Sequence, residues 1–104
     1  MSKRYEFQSS SVPKQVQTVG TKGIIIEFYN SGGHLIKTST VLFKNIHRIT
    51  DLVSLTGQNR YSFKIDCLTV ETPYKVMTID INTNSNEVYN AIKKNMVNKE
   101  ALIL

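Results

Sequence analysis

The sequence predicts a mainly β domain of the α+β kind: antiparallel strands followed by one C-terminal amphipathic helix. Three observations carry that expectation. Apolar and polar residues alternate through Tyr61–Cys67 and again through Lys75–Asn82, the period of a half-buried strand. A turn signature, NSGGH (Asn30–His34), separates two runs rich in β-branched residues. Beyond Asn84 the apolar spacing lengthens, and Val88, Ile92 and Met96 fall on one helical stripe.

Taken in order, residues 1–11 read as a flexible basic arm, 12–100 as a single β-rich domain and 101–104 as an apolar tail. VPKQVQTV (Val12–Val19) reads as a first extended segment, its valines loosely spaced. GIIIEFYN (Gly23–Asn30) reads as a largely buried strand, and HLIKTSTVLF (His34–Phe43) as its hairpin partner. FKNIHRITDLVSL reads two ways. With period 3.6, Leu42, Ile46, Ile49 and Val53 make a helical stripe; with period 2 the alternation is poor. Its β-branched residues, and the lack of a stop before Gly57, favour a strand.

TGQNR (Thr56–Arg60) is a turn, after which Tyr61, Phe63, Ile65 and Cys67 point inward. Pro73 cannot donate to a ladder, so this strand ends before it. In KVMTIDIN, Met77, Ile79 and Ile81 face the core. A helix over about 85–98 follows, with Asn84 as cap, Glu87 reaching back, and Lys93, Lys94 and Lys99 outside or near the C-terminal end.

A chain of 104 residues holds one domain with one core. Its 40% hydrophobic and 20% charged content is ordinary for a globular protein, which argues against wholesale disorder. A single cysteine, Cys67, excludes an intramolecular disulfide and any multi-cysteine metal site, and fits a reducing, cytoplasmic setting. GIIIEFY is too short to span a bilayer, and MSKRYEFQSSS lacks an apolar signal region, so no membrane insertion is expected. The net charge of +5 is concentrated in the first two thirds without forming a like-charge block. Such a dispersed excess gives weak attraction to polyanions. Abundant Lys, Ile, Asn and Thr, few Arg and no Trp match A+T-rich coding, the pattern of a phage, a mobile element or a low-GC bacterium.

The stretches VLFKNIHRITDL, YSFKIDCL, YKVMTIDIN and SNEVYNAIKKNM carry a resemblance to bacterial and phage pleckstrin-homology-like domains, over roughly residues 23–97. The likeness is one of pattern: a strand entered through apolar-x-x-Ile-x-x-Ile, two further strands, and a capping helix. It implies a bent sheet or partial barrel used as a binding platform, without catalysis. The first hairpin loop, Asn30–His34, lacks the basic cluster of phosphoinositide-binding members, so the resemblance does not extend to lipid headgroups.

No catalytic constellation stands out. Cys67 alternates with Phe63 and Ile65 as a core residue, and His34 and His47 have no metal-ligand spacing. No metalloprotease, nucleophile-elbow, P-loop or dinucleotide fingerprint occurs. No enzyme activity and no cofactor are expected. Lys44, His47, Arg48, Arg60 and Lys64 are the candidate polyanion- or partner-binding residues, with Tyr5, Tyr29, Tyr61 or Tyr74 as stacking platforms. Extended pairing places Lys44 and Arg48 on one face and His47 on the other. Leu102, Ile103 and Leu104 are the candidate contact for a partner or for a second copy in a homo-oligomer. The expected function is a non-catalytic module that binds a protein partner, as an inhibitor or assembly component. The alternative is a single-stranded nucleic-acid binder using a basic face.

Overall fold

The computed structural model describes residues 2–8, 14–55 and 60–96. They form two antiparallel sheets whose inner faces, with one helix, enclose a common core. The first sheet has the order β1 (Lys3–Phe7), β2 (Lys14–Val19), β3 (Gly23–Tyr29) and β4 (Leu35–Leu42). A 3-10 turn over Phe43–Asn45 leads into β5 (Ile46–Ile49) and β6 (Val53–Leu55). These two share one edge of β7 (Arg60–Cys67), and β8 (Met77–Thr83) takes the other. Helix α1 spans Glu87–Met96 and packs on the 3-10 turn and β2. The fold is mainly β with a C-terminal helix, and among the described residues the sheets do not close into a barrel.

The expected arm is instead a strand along Lys3–Phe7. Its residues alternate: Tyr5 and Phe7 turn inward opposite Gln17 and Gln15, while Arg4 and Glu6 turn outward. Arg4, Glu6, Lys14 and Glu27 pair across the outer face at 3.0–3.9 Å around Val16, which is buried there. The β3–β4 hairpin forms around NSGGH as expected. Asn30 Oδ1 accepts from the N–H groups of Gly32 and His34, and Gly33 takes the left-handed conformation (φ 82°) that glycine tolerates. GIIIEFYN is buried on one face only; Ile24 and Ile26 are inside, and Ile25 is 42% exposed.

The ambiguous stretch is extended, with an irregularity that explains its mixed period. Pairing passes from Ile46 opposite Cys67 to Arg48 opposite Asp66, leaving His47 as an extra residue. A bulge of this kind lets two residues three apart face the same way. Ile46 and Ile49 therefore both meet the core, mimicking a helical stripe. The helix begins at Glu87 and not at 85. Its first-turn N–H at Glu87 is held by Ser85 Oγ (3.1 Å) in place of Asn84, and the Glu87 carboxylate is engaged elsewhere.

Gly23, at the start of β3, carries a steric demand. A Cβ there would overlap the carbonyl oxygen of Val41 on β4, which is backbone and cannot swing away. Gly23→Ala is expected to cost about 1–3 kcal/mol, the range for overpacking. Urea denaturation would measure it, and a change within 0.5 kcal/mol of wild type would contradict the geometry.

Candidate functional cleft

The position of β8 rests on two residues whose type is unusual for a core. Gln15 and Gln17 lie on the inner face of β2, at 4% and 0% exposure, where the strand pattern leads one to expect apolar side chains. They face the edge of β8 that β7 leaves unpaired. Gln15 Nε2 donates to the Asp80 carbonyl (3.2 Å), and its Oε1 accepts from the Asn82 N–H (3.1 Å). Gln17 Nε2 donates to the Asn82 carbonyl (2.6 Å) and to Gln15 Oε1 (3.0 Å). Buried backbone groups require partners, and here side-chain amides supply them. Gln17 Oε1 itself has no partner among the described residues.

These bonds fix the phase of the edge. In an antiparallel pair, alternate residues aim both backbone groups away from the neighbour. Asn82 does so, hence Asp80 and Thr78 do as well. Lys64, opposite Asp80, aims its groups the other way, bonding Thr50 at 3.0 Å (N–H to Lys64 carbonyl) and 2.8 Å (Lys64 N–H to Oγ1). The N–H of Thr78, its carbonyl and the N–H of Asp80 are thus left without a partner among the described residues. On β4, Thr40 is occupied: its carbonyl accepts from Val70 (2.9 Å), and its N–H and hydroxyl donate to Glu71 at 2.7 and 2.8 Å. Two residues back, Thr38 presents the same edge, unpaired among the described residues.

Both open edges border one cleft of about 610 Å³. Its floor is Gln15, Phe28 and Ser39, its walls Lys37–Thr38 and Met77–Asp80, and Thr69, Glu71 and Thr72 close one side. The Lys37 ammonium sits 5.0 Å from the Phe28 ring centroid. Burial pushes the Glu71 carboxyl up, but the two bonds from Thr40, with one from its own backbone N–H, together outweigh it and hold the group below the usual carboxylate range. Ile36 and Val76, each next to a lining residue, are about half exposed at 55% and 49%.

The residues singled out from sequence lie elsewhere. Arg48 and Lys64 share the outer face of the second sheet, but acids interleave: Arg48 stands opposite Asp66, and Lys64 Nζ is 3.8 Å from Asp80. His47 is exposed at the bulge beside Arg48, so the two are not divided between faces as strict alternation implies. Lys44 sits in the 3-10 turn, and the Arg60 guanidinium lies 5.8 Å from the Phe7 ring centroid. Tyr5 donates to Glu87 (2.9 Å), Tyr61 is half-buried, and Tyr74 is exposed. Leu102, Ile103 and Leu104 lie outside the described residues. The cleft residues escaped notice because neither glutamines nor threonines carry a sequence motif. Gln-x-Gln at strand spacing was the one available signal.

Two further titratable groups, Glu87 and Cys67, have their states set by structural surroundings. The hydrogen bond from Tyr5, with Lys3 at 3.3 Å, holds the Glu87 carboxyl below its ordinary range and ties β1 to α1. Burial, with a smaller contribution from Asp66, raises Cys67 to about 11, so its thiol keeps its proton at neutral pH. Among the described residues no three His, Cys, Asp or Glu side chains assemble as a metal site, and no helix is long and apolar enough to cross a membrane. Comparison with known proteins gives no matching family model, no matching curated protein and no matching solved structure.

Proposed function

We propose that this protein is a non-catalytic interaction module whose cleft receives an extended segment of a protein partner. The observation that carries the reading is that two strand edges left open among the described residues, Thr38 and Thr78–Asp80, line one cavity. Strand addition uses such an edge: main-chain hydrogen bonds give affinity and alternate side chains give specificity. Open edges are otherwise a hazard that proteins cover or blunt, and among the described residues β8 is covered only from the Asp80 carbonyl onward. Three ladder bonds contribute about 3 kcal/mol at roughly 1 kcal/mol each, whereas a micromolar complex needs about 8. The balance falls to apolar side chains of the segment against the Phe28 floor. The pleckstrin-homology-like resemblance points the same way, toward a binding platform.

The test is a displayed library of random nine-residue peptides selected on the wild-type protein, with each hit measured against Thr78→Pro. Proline is tolerated at an edge position whose N–H faces outward, so the variant keeps the fold while losing a donor and crowding the edge. Enriched peptides are expected to shift amide resonances of residues 37–39 and 77–82 and to lose tenfold or more in affinity on Thr78→Pro. Failure to enrich any peptide, or equal binding to the variant, overturns the reading. The nucleic-acid alternative has its own signature, oligonucleotide binding that weakens steeply with salt. The acids interleaved with Arg48 and Lys64 argue against it.

A further inference from the structure

The glutamine amides on β8 indicate which way the segment runs. We infer that the partner strand adds parallel to β8, with its C-terminal end meeting Gln15; the inference rests on the cleft being a strand-addition site. In a parallel ladder one residue donates its N–H to a carbonyl on the neighbour and accepts, through its own carbonyl, from the N–H two residues further along. Gln15 makes that pair of bonds, to the Asp80 carbonyl and the Asn82 N–H. Gln17 Nε2 then donates to the Asn82 carbonyl, which is the first half of the next rung. The two side chains therefore stand in for a strand parallel to β8 that stops at Asp80.

The open groups begin where the glutamines end. Moving back along β8, the next parallel rung takes the Thr78 carbonyl and the Asp80 N–H, and the one before it takes the Thr78 N–H. A parallel segment satisfies all three and then abuts Gln15 in phase. An antiparallel segment pairs both groups of Thr78 with one residue, and both groups of Asp80 with the residue two away. That second pair competes with Gln15 for the Asp80 carbonyl, so the antiparallel mode displaces a bond already made. Side chains of a parallel segment alternate between the Phe28 floor and solvent. The recognised sequence is accordingly a short extended stretch with an apolar residue at every second position, read mainly through its backbone.

The experiment uses the tightest peptide from the library selection, carrying a nitroxide at one end or the other, with relaxation of protein amides as readout. Parallel addition predicts that the C-terminal label broadens Asn82, Gln15 and Gln17, and that the N-terminal label broadens Val76, Met77 and Thr72. The opposite assignment overturns the direction while leaving strand addition standing. Broadening of cleft amides by neither label overturns strand addition itself, and the direction with it. As a second readout, removing Gln15 in Gln15→Ala frees the next parallel rung. A peptide extended by two residues at its C-terminus is then expected to bind that variant at least threefold tighter than the original peptide does, with no such gain on wild type. A gain from N-terminal extension instead contradicts the inference.

Discussion

Replacing Gln17 with glutamate is expected to cost about 3–5 kcal/mol at neutral pH, the range for leaving an uncompensated charge in the interior. The two side chains have nearly the same shape, so packing is conserved and only the chemistry of one end changes. Gln17 is 0% exposed, and its amide nitrogen faces two acceptors, the Asn82 carbonyl at 2.6 Å and Gln15 Oε1 at 3.0 Å. Among the described residues a carboxylate there has no donor, and it opposes both oxygens. The loss carries a pH signature with a definite sign. Burial and two facing acceptors raise the folded-state pKa of the new glutamate above its unfolded value of about 4.3. The native state then holds a proton that the unfolded chain has released, so stability falls as pH rises from the unfolded pKa to the folded one. Below about pH 4.3 the protonated acid donates one of the two bonds, and much of the deficit is expected to vanish. Urea midpoints at pH 4 and pH 7.5, each referenced to wild type, give the result. A deficit equal at both pH values would mean that the glutamine amide is not the donor that holds β8.

The contrast between what the chain announces and what it conceals follows from locality. The strands β7 and β8 and the stripe of α1 are read from residues two or four apart, because the side-chain period is a property of the backbone alone. The turn at Asn30–His34 is equally local, resting on Asn30 Oδ1 and the left-handed Gly33. The difficulty begins where a non-local partner changes the rule. On β2 the polar residues face inward because their partner is the bare edge of β8, some sixty-five residues away in the chain, as the Gln15–Asp80 contact measures. In β5 the extra residue at His47 exists only relative to Asp66 and Cys67. The Lys3–Phe7 segment looked like a basic arm because Tyr5 and Phe7 were outvoted by their charged neighbours. The cleft is the extreme case. An unpaired edge is defined by the absence of a neighbour, which no window of sequence encodes, whereas basic residues such as Arg48 and Lys64 are conspicuous in sequence and interleaved with Asp66 and Asp80 in space.

Truncating Phe63 tests how the helix is held, and its expected cost is also large, about 3–5 kcal/mol for a buried aromatic removed to alanine. Phe63 is 2% exposed on the inner face of β7, and its ring meets Tyr89 of α1 edge-on, with centroids 5.0 Å apart and planes at 79°. That arrangement adds about 0.5–1.5 kcal/mol beyond the area it buries. A helix of ten residues, Glu87–Met96, is too short to persist in water without packing. Its stability must therefore come from contacts such as this one, together with the burial of Val88, Ile92 and Met96. For a single small domain the loss is a large share of the roughly 5–15 kcal/mol available. Phe63→Ala should lower the urea midpoint with little change in slope, and α1 amides should lose hydrogen-exchange protection more than those of β3. Pairing it with Tyr89→Ala separates the ring contact from the cavity: a coupling of about 0.5–1.5 kcal/mol is expected, and strict additivity would assign the whole cost to the cavity beneath the sheet.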